Sequence, residues 1–486
     1  MSRLHKTLLL GTLAVLGGAL LLPAGAAASR AQWTVFEDHT ALVKSPVEER
    51  IQRLNEIKEL GVDTLRVEVK WNEVAPNPGS KTKPNFNASD PTAYASHPNA
   101  YPSFGGYDDL VRRAQALDLR VILTITGDAP RWATSGGRGT GRNVNYRPSP
   151  NHYAQFAAAV AKRYSGIYAG LPAVFYFTIW NEPNHRQFIK PTRSAPVIYR
   201  NLVDAAIPAI RAVNKNARIW IGETAPVGRA PKAMGPTEFL RKWLCLNKRF
   251  RRTSKGSGCR RFKKIDADGY AHHPYGPTSR VPKTRDVINM LAIRRLGKYL
   301  DQAARARRVP RKLPIYNTEF GLQSNPPDRA VSTSPVRQAQ LINEKEEYSY
   351  RYGRLKSYSQ YLLFDDPPRK GRKHEKWSGF QTGLRFSHGS SKGDRKPAYN
   401  AFKFPLVVKR RSRGVYVWGR VRPGTGKRSV QLQRKGAGNS GPRFKTNSRG
   451  YFTVKRRQSG RYRFRAYDSN GKLLGTSRTA RPARLP

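Results

Sequence analysis

The 486-residue sequence predicts an α/β protein, a (β/α)8 TIM barrel followed by a small C-terminal β-sandwich. Three observations carry that expectation. Between residue 32 and about 406, short β-prone runs alternate with amphipathic helical runs, the pattern of parallel strands joined by helices. Two of the β-prone runs, Thr178-Ile179-Trp180-Asn181-Glu182-Pro183-Asn184 and Ile315-Tyr316-Asn317-Thr318-Glu319-Phe320, place a glutamate where the strand must give way to a loop. Beyond about Val407 the chain changes to short alternating strands divided by Gly-containing turns.

Taken in order, Arg3 and Lys6 precede an apolar run, Thr7 to Leu22, that is too short for a comfortable membrane span. Ala24-Gly25-Ala26 and Ala26-Ala27-Ala28 then offer small-x-small cleavage sites. Residues 1–29 therefore read as a signal peptide, with a retained membrane anchor as the alternative, and the mature product is expected to be secreted, extracellular and free of the membrane. Trp33 to Glu37 reads as the first strand. Val47 to Leu60 reads as a helix with Ile51, Leu54, Ile57 and Leu60 on one face and Gly61 as its C-terminal cap. Further strands are expected at Val62 to Trp71, Leu119 to Thr126, Val174 to Trp180, Ala217 to Gly222, Ala267 to Ala271, Leu313 to Thr318 and Tyr358 to Phe364. Helices such as Ile198 to Val213 and Val287 to Ala304 lie between them. Eight such strands close a barrel over residues 30–406, and the C-terminal strand ends form its active face. The segments Asn72 to Tyr107 and Gly127 to Asn151 are long and rich in Pro, Gly, Asn and aromatics, so they are expected to wall a groove.

In residues 407–486, Val415 to Val421, Ser429 to Gln433, Phe444 to Thr446, Tyr451 to Val454, Tyr462 to Tyr467 and Leu473 to Ser477 read as strands of the sandwich, with Asn470-Gly471 as a hairpin turn. Its role is either cover for the barrel or attachment to a polymer. The run Lys409-Arg410-Arg411-Ser412-Arg413 reads as a solvated linker face. Cys245 and Cys259 are the two cysteines, and in an oxidising compartment they are expected to form one disulfide. One bridge cannot hold so long a chain, so stability must come from a large hydrophobic core, and a monomer is expected. Lys and Arg number 90 against 32 Asp and Glu, a net charge of +58, and residues 407–486 hold 23 basic residues and one acidic residue, Asp468. Either compositional bias explains this, or the basic surface binds an anionic cell-wall polymer or acidic polysaccharide. No recognition motif accompanies the charge, so no nucleic-acid partner is expected.

Two carboxylic acids delivered by separate strand ends can face each other across the barrel mouth, the minimum equipment for cleaving a glycosidic bond. Around them, Trp180-Asn181-Glu182-Pro183-Asn184 and Thr318-Glu319-Phe320-Gly321 resemble motifs of the large clan of retaining (β/α)8 glycoside hydrolases that includes family 5 cellulases and family 39 β-xylosidases. Arg66, His273-Pro274-Tyr275, Trp377, Gln381-Thr382-Gly383-Leu384-Arg385 and Lys396-Pro397-Ala398-Tyr399 extend the resemblance over residues 32–406.

The resemblance implies that Glu182 is the acid/base and Glu319 the nucleophile, with carboxyl groups about 5–5.5 Å apart and net retention of configuration. It also implies that Arg66 and Tyr275 keep Glu319 ionised, that Asn181 holds the sugar 2-hydroxyl and that His273 lines the same site. Arg66 has one other reading, as a salt-bridge partner of Glu68. Trp132 and Trp377 are either packing residues or platforms for flat sugar faces. Glu223, in Gly222-Glu223-Thr224, is the carboxylate that could compete for a catalytic role. No cofactor and no metal are expected, because nothing beside His272-His273 completes a ligand set. The expected function is a secreted retaining glycoside hydrolase acting on a poly- or oligosaccharide. The alternatives are a catalytically inactive carbohydrate- or cell-wall-binding protein on the same scaffold, and a structural or adhesive cell-wall protein.

Overall fold

The computed structural model describes residues 31–96, 106–228, 231–277, 280–329, 333–369, 376–377, 379–387, 394–424, 426–437 and 441–486. The expected signal peptide, residues 1–29, lies outside them. The barrel strands are β1 (Trp33–Glu37), β2 (Thr64–Lys70), β3 (Arg120–Thr126), β4 (Tyr176–Ile179), β5 (Arg218–Thr224), β6 (Gly269–His272), β7 (Ile315–Asn317) and β8 (Ser357–Tyr361). A helix follows each in turn: α1 (Val47–Glu59), α2 (Tyr107–Ala116), α3 (Pro150–Arg163), α4 (Ala195–Val213), α5 (Pro236–Trp243), α6 (Ile293–Arg305), α7 (Pro335–Tyr350) and α8 (Pro397–Lys403). The strands are parallel in the order β7-β6-β5-β4-β3-β2-β1-β8. The ring closes through Ile315 of β7, which bonds to the backbone of Arg354 and Lys356 just before β8. The (β/α)8 expectation is met.

Side-chain alternation explains how the barrel carries chemistry inside and core outside. On β2, Leu65, Val67 and Val69 join the main core with Leu54 and Ile57 of α1 and Leu110 of α2. The intervening Arg66, Glu68 and Lys70 point into the barrel. Its lower end is plugged by Trp33, Tyr176, Trp220 and Tyr316, the last two stacked with ring centroids 3.6 Å apart.

Several boundaries differ from expectation for local reasons. Gly61 takes φ +76° and stops α1 as expected of a C-terminal glycine. The helix expected from Val287 begins only at Ile293, because the Asn289 side chain accepts from the backbone of Leu291 and Ala292 and sets up a separate short turn there. Strand β8 stops at Tyr361, since Leu362 turns to φ +73°. Cys245 and Cys259 are bonded, with Cα atoms 5.5 Å apart, and the bridge clips the loop after α5.

The C-terminal strands are β9 (Leu406–Arg410), β10 (Val415–Arg420), β11 (Ser429–Arg434), β12 (Arg443–Lys445), β13 (Tyr451–Arg456), β14 (Tyr462–Tyr467) and β15 (Leu473–Thr476). They form an antiparallel sheet β13-β10-β9 and a second one β12-β11-β14-β15. Their inner faces share one core of Val408, Val417, Phe452, Val430, Leu432 and Phe464, which makes the expected sandwich. Lys409 and Arg410, expected on a linker face, belong to β9 and pair with β10. The alternating Leu406-Val407-Val408 before them supplies both faces of that strand with buried side chains.

The sandwich covers the barrel rather than trailing from it. Val407, Trp418 and Tyr451 pack on Tyr350 of α7. Glu346 on the same helix pairs with Arg422 at 2.6 Å, and all of these charges are buried. Arg420 donates to Thr34 of β1 at 2.8 Å, and Arg478 to Asn343 of α7, also at 2.8 Å. A chain cut near Leu406 would therefore expose barrel core along α7. Removing one member of a buried pair leaves the other uncompensated, so Glu346→Ala should lower unfolding free energy by about 3–5 kcal/mol. Denaturant unfolding checks this, and a loss below about 1 kcal/mol, the range of an exposed pair, would contradict the buried docking interface.

Candidate active site

The upper ends of β2, β4, β5, β6 and β7 bring one connected cluster together. Arg66 leaves β2 inward and has no exposed surface. Its Nη1 donates to Glu319 Oε2 at 3.1 Å and lies 2.5 Å from Glu37 Oε1 at the end of β1. Its Nη2 donates to Asn181 Oδ1 and to Glu223 Oε2, both at 2.7 Å. Glu68, the other partner considered for Arg66, approaches only to 3.9 Å. Tyr275 OH donates to Glu319 Oε1 at 2.7 Å. His273 bridges the remaining acids: Nδ1 is 3.0 Å from Glu182 Oε1 and 3.5 Å from Glu319 Oε2, and Nε2 is 2.7 Å from Glu223 Oε2. One oxygen of Glu182, one of Glu319 and a ring nitrogen of His273 all lie within 4.8 Å of one another.

The chain reaches this geometry through unusual backbone. Trp180 and Glu182 take φ +63° and +36°, in the left-handed region that side-chain-bearing residues seldom visit. The Trp180 ring is fully buried and its indole donates to Phe188 O at 2.8 Å, which holds the turn. The Asn184 side chain ties the same loop to Ala225 and Met234. Strain of this kind survives only where packing overdetermines it, and it gathers at functional sites.

Electrostatics sorts the carboxylates. Burial raises Glu319 above the usual carboxylate range, with Glu182 and Glu68 adding to it, while His273 and Arg66 work in the opposite direction. Burial also raises Glu37 well above its ordinary value. Burial would raise Glu223 too, but the Arg66 guanidinium and His273 outweigh it and hold that carboxyl at about 2. For His273, burial would remove the proton, yet Glu319 and the hydrogen bonds to Glu182 and Glu223 push it up to about 10. His273 is therefore an imidazolium at neutral pH, with both ring nitrogens donating. His272 is the opposite case: burial brings it to about 3, with Thr224 Oγ1 at 2.8 Å and Ile288 O at 2.6 Å as its partners.

Six of the expected site residues thus meet: Arg66, Asn181, Glu182, His273, Tyr275 and Glu319. Two do not. Trp132 is 6% exposed, sits among Trp71, Phe86 and His152, and donates its indole N–H to Pro76 O, so it packs the loops rather than meeting a sugar. Trp377 does not line the cleft, and its ring lies against Lys376. The aromatic walls come instead from Tyr361 at the end of β8, Phe380 and Phe188. The cleft has a volume of about 450 Å³, with Asn181, Glu182, Tyr275 and Glu319 on its surface. Among the described residues of the two long loops expected to wall it, the first ones do so, Asn72 and Glu73 after β2 and Gly127 and Asp128 after β3. Glu223, fully buried, does not line it. Glu37 was passed over in the sequence, although it ends β1 just as Glu182 follows β4.

A closed (β/α)8 barrel with a pair of glutamates at its mouth defines the class: this is a retaining glycosidase, and its substrate is a carbohydrate. More particularly, residues 25–352 match the family model Cellulase (glycosyl hydrolase family 5), and the chain belongs to that family. Among solved structures, a glucosidase from Croceicoccus marinus matches at TM-score 0.52 and 12% identity over 89% of this chain and 94% of that one. A monomeric β-xylosidase from Caulobacter crescentus matches at TM-score 0.48 and 15% identity, over 89% and 95% of the two chains. An endo-β-1,4-mannanase from Thermotoga petrophila matches at TM-score 0.45 and 11% identity, over 93% and 98%. No curated protein matches the sequence. At these identities the likeness to the glucosidase is one of fold.

Because its pKa is raised, the His273 charge favours the folded state below about pH 6.5, its ordinary value, and that contribution fades as pH climbs through about 10. Nitrogen-15 spectra of the histidine side chains at pH 8 should show both His273 nitrogens protonated. A neutral His273 at that pH would overturn the charge assignment.

Proposed function

We propose that the protein is a secreted retaining glycoside hydrolase in which Glu319 is the nucleophile and Glu182 the acid/base, acting on neutral sugars of a poly- or oligosaccharide. The placement of the two carboxylates in one cleft, with facing oxygens within 4.8 Å, carries this reading. It suits the carboxyl separation of about 5–5.5 Å used in double displacement better than the wider spacing, about 6.5–9.5 Å, of an inverting enzyme.

In the first half-reaction a Glu319 oxygen attacks the anomeric carbon while Glu182 passes its proton to the departing glycosidic oxygen. In the second, Glu182 takes a proton from water as that water attacks the same carbon and the bond to Glu319 breaks. Arg66 and Tyr275 grip both Glu319 oxygens, which aims the carboxylate, and Arg66 together with His273 opposes the neutralising effect of burial. Since Asn181 Oδ1 is taken by Arg66, its amide N–H groups are left to donate to the sugar 2-hydroxyl.

The cleft's own charge argues for the class of sugar. Glu37, Glu68, Glu73 and Asp128 line it beside the catalytic pair, and the basic lining residue among those described is Lys70, already 3.6 Å from Glu68. A carboxylated sugar placed there would meet several acids of its own sign. The chain's net charge of +58 does not extend to this cleft, and its support for adsorption to anionic polymer is charge alone. The apolar run before residue 29 supports export.

Glu319→Gln should leave the fold intact and lower kcat by several powers of ten, and near wild-type turnover on the best substrate would refute the nucleophile assignment. Glu182→Ala should be rescued by azide on an activated aryl glycoside, because a good leaving group needs no acid and azide needs no base. Failure of rescue on a folded variant would remove Glu182 from that role. A protein that binds oligosaccharide yet turns over none, in wild-type form, would favour the inactive alternative.

Protein recovered from a culture supernatant, its mass showing residues 1–29 removed, should hydrolyse neutral aryl glycosides and not the matching uronides. It should also adsorb to polygalacturonate with an affinity that falls steeply with salt. Retention of residues 1–29, turnover of uronides, or salt-independent adsorption would each contradict the corresponding part of the proposal.

A further inference from the structure

We propose that Glu223 is a positioning residue: it holds His273 as a donor through both ring nitrogens and so confines the proton that Glu182 transfers to Glu182 Oε2. The inference rests on Glu182 being the acid/base. An ionised carboxylate can only accept, so Glu223 Oε2, 2.7 Å from His273 Nε2, fixes a proton on that nitrogen. The other nitrogen faces Glu182 Oε1 at 3.0 Å and Glu319 Oε2 at 3.5 Å, and with the Glu223 charge on one side of the ring and Glu319 on the other, the imidazolium is favoured and this nitrogen donates as well. Glu182 Oε1 is then occupied by an incoming N–H. The transferable proton sits on Oε2, the oxygen free to turn toward the glycosidic bond.

The fold is shaped to put Glu223 there. Strand β5 carries a bulge: Gly222 pairs with Ala271 and Thr224 with His272, leaving Glu223 as the extra residue between them. A bulge re-aims a side chain, and Glu223 takes φ +46° in doing so. Its carbonyl accepts the backbone N–H of Glu182 at 2.9 Å. One residue therefore sets Glu182 twice, once through the backbone and once through His273. Arg66 Nη2 donates to the same Oε2 at 2.7 Å and supplies the counter-charge that lets a fully buried carboxylate stay ionised.

The charged groups facing His273 are Glu182 after β4, Glu223 in β5 and Glu319 after β7, with Arg66 of β2 reaching it through Glu223 and Glu37 of β1 through Arg66. Its neighbour His272, buried and neutral, adds no charge. Removing Glu223 leaves His273 with two carboxylates on one nitrogen and none on the other. The imidazolium then loses its proton at lower pH, and a neutral ring can accept from Glu182 Oε1–H, holding the proton on the wrong oxygen.

The test is Glu223→Gln, which keeps the shape and removes the charge. On aryl glycosides with poor leaving groups kcat should fall by about one to two powers of ten, within the range a general acid supplies, and the alkaline limb of activity should move to lower pH. On a dinitrophenyl glycoside, which departs without protonation, the glycosylation step should change by less than about threefold. Equal losses for all leaving groups, or an unmoved alkaline limb, would overturn the proposal and leave Glu223 a structural residue. Should Glu223→Gln fold poorly, Glu223→Asp, which keeps the charge at shorter reach, should retain the pH profile better than the amide and lose activity mainly in KM. The nitrogen-15 spectrum reads the same question without turnover: Glu223→Gln should lose one His273 proton at pH 8, and an unchanged imidazolium would refute it. A wild-type protein inactive on every aryl glycoside would fault the glycosidase reading instead, and the spectrum would still decide the role of Glu223.

Discussion

A single buried guanidinium organises the catalytic face. Arg66 has no contact with solvent, and its neighbours come from the ends of β1, β4, β5 and β7 in the form of Glu37, Asn181, Glu223 and Glu319. A cation in that position is tolerated only if acids and hydrogen-bond acceptors surround it, and those acids are tolerated only because it is there. The strand ends are thereby tied to one another from inside the barrel. His273 repeats the arrangement one layer higher, sharing Glu223 and Glu319 with Arg66 while adding Glu182. Two cations thus distribute themselves over carboxyls that would otherwise repel or neutralise each other. The protonation state of each acid follows from how much of that positive charge it receives.

This dependence explains why the carboxylates differ in role although all are glutamates at strand ends. Glu223 has both cations within hydrogen-bonding distance and no exposed surface, so it is the most strongly held anion and the least available to a substrate. Glu319 receives the two cations at longer range and a tyrosine hydroxyl at short range, and it borders the cleft. Glu37 shares Arg66 with the others, yet burial keeps it well above the ordinary carboxylate range. Charge state at the centre of this barrel is set by competition for two donors, not by distance from solvent alone.

Away from the site, helix α7 shows the same constraint acting on the fold. From Leu341 to Tyr350 every residue is buried, including Glu344, Lys345, Glu346 and Glu347, because the barrel covers one side and the sandwich the other. The sandwich brings Arg420 and Arg422 to Glu346, so part of the chain's excess of positive charge is structural and faces inward. A polar helix normally marks a solvent-facing surface. Here it marks a seam between two domains.

Local pattern decided much of this. The period-two runs and helical stripes are properties of neighbouring residues, and they located each barrel strand to within a few residues. The strand-end glutamates of Trp180-Asn181-Glu182 and Thr318-Glu319 were visible for the same reason, as was the disulfide between two isolated cysteines. Contacts between segments distant in sequence were not visible. Trp132 and Trp377 carry no mark that separates a packing ring from a sugar platform, since only the finished fold says what lies against each face. The buried seam of α7 and the inward use of Arg420 and Arg422 depend on a domain that follows the helix by some sixty residues. Glu37, Glu182, Glu223 and Glu319 are alike in sequence as strand-end acids. Closure of the barrel brought Arg66 and His273 between them, and because Coulomb energies and desolvation depend on distances through space, only that closure could make them chemically different.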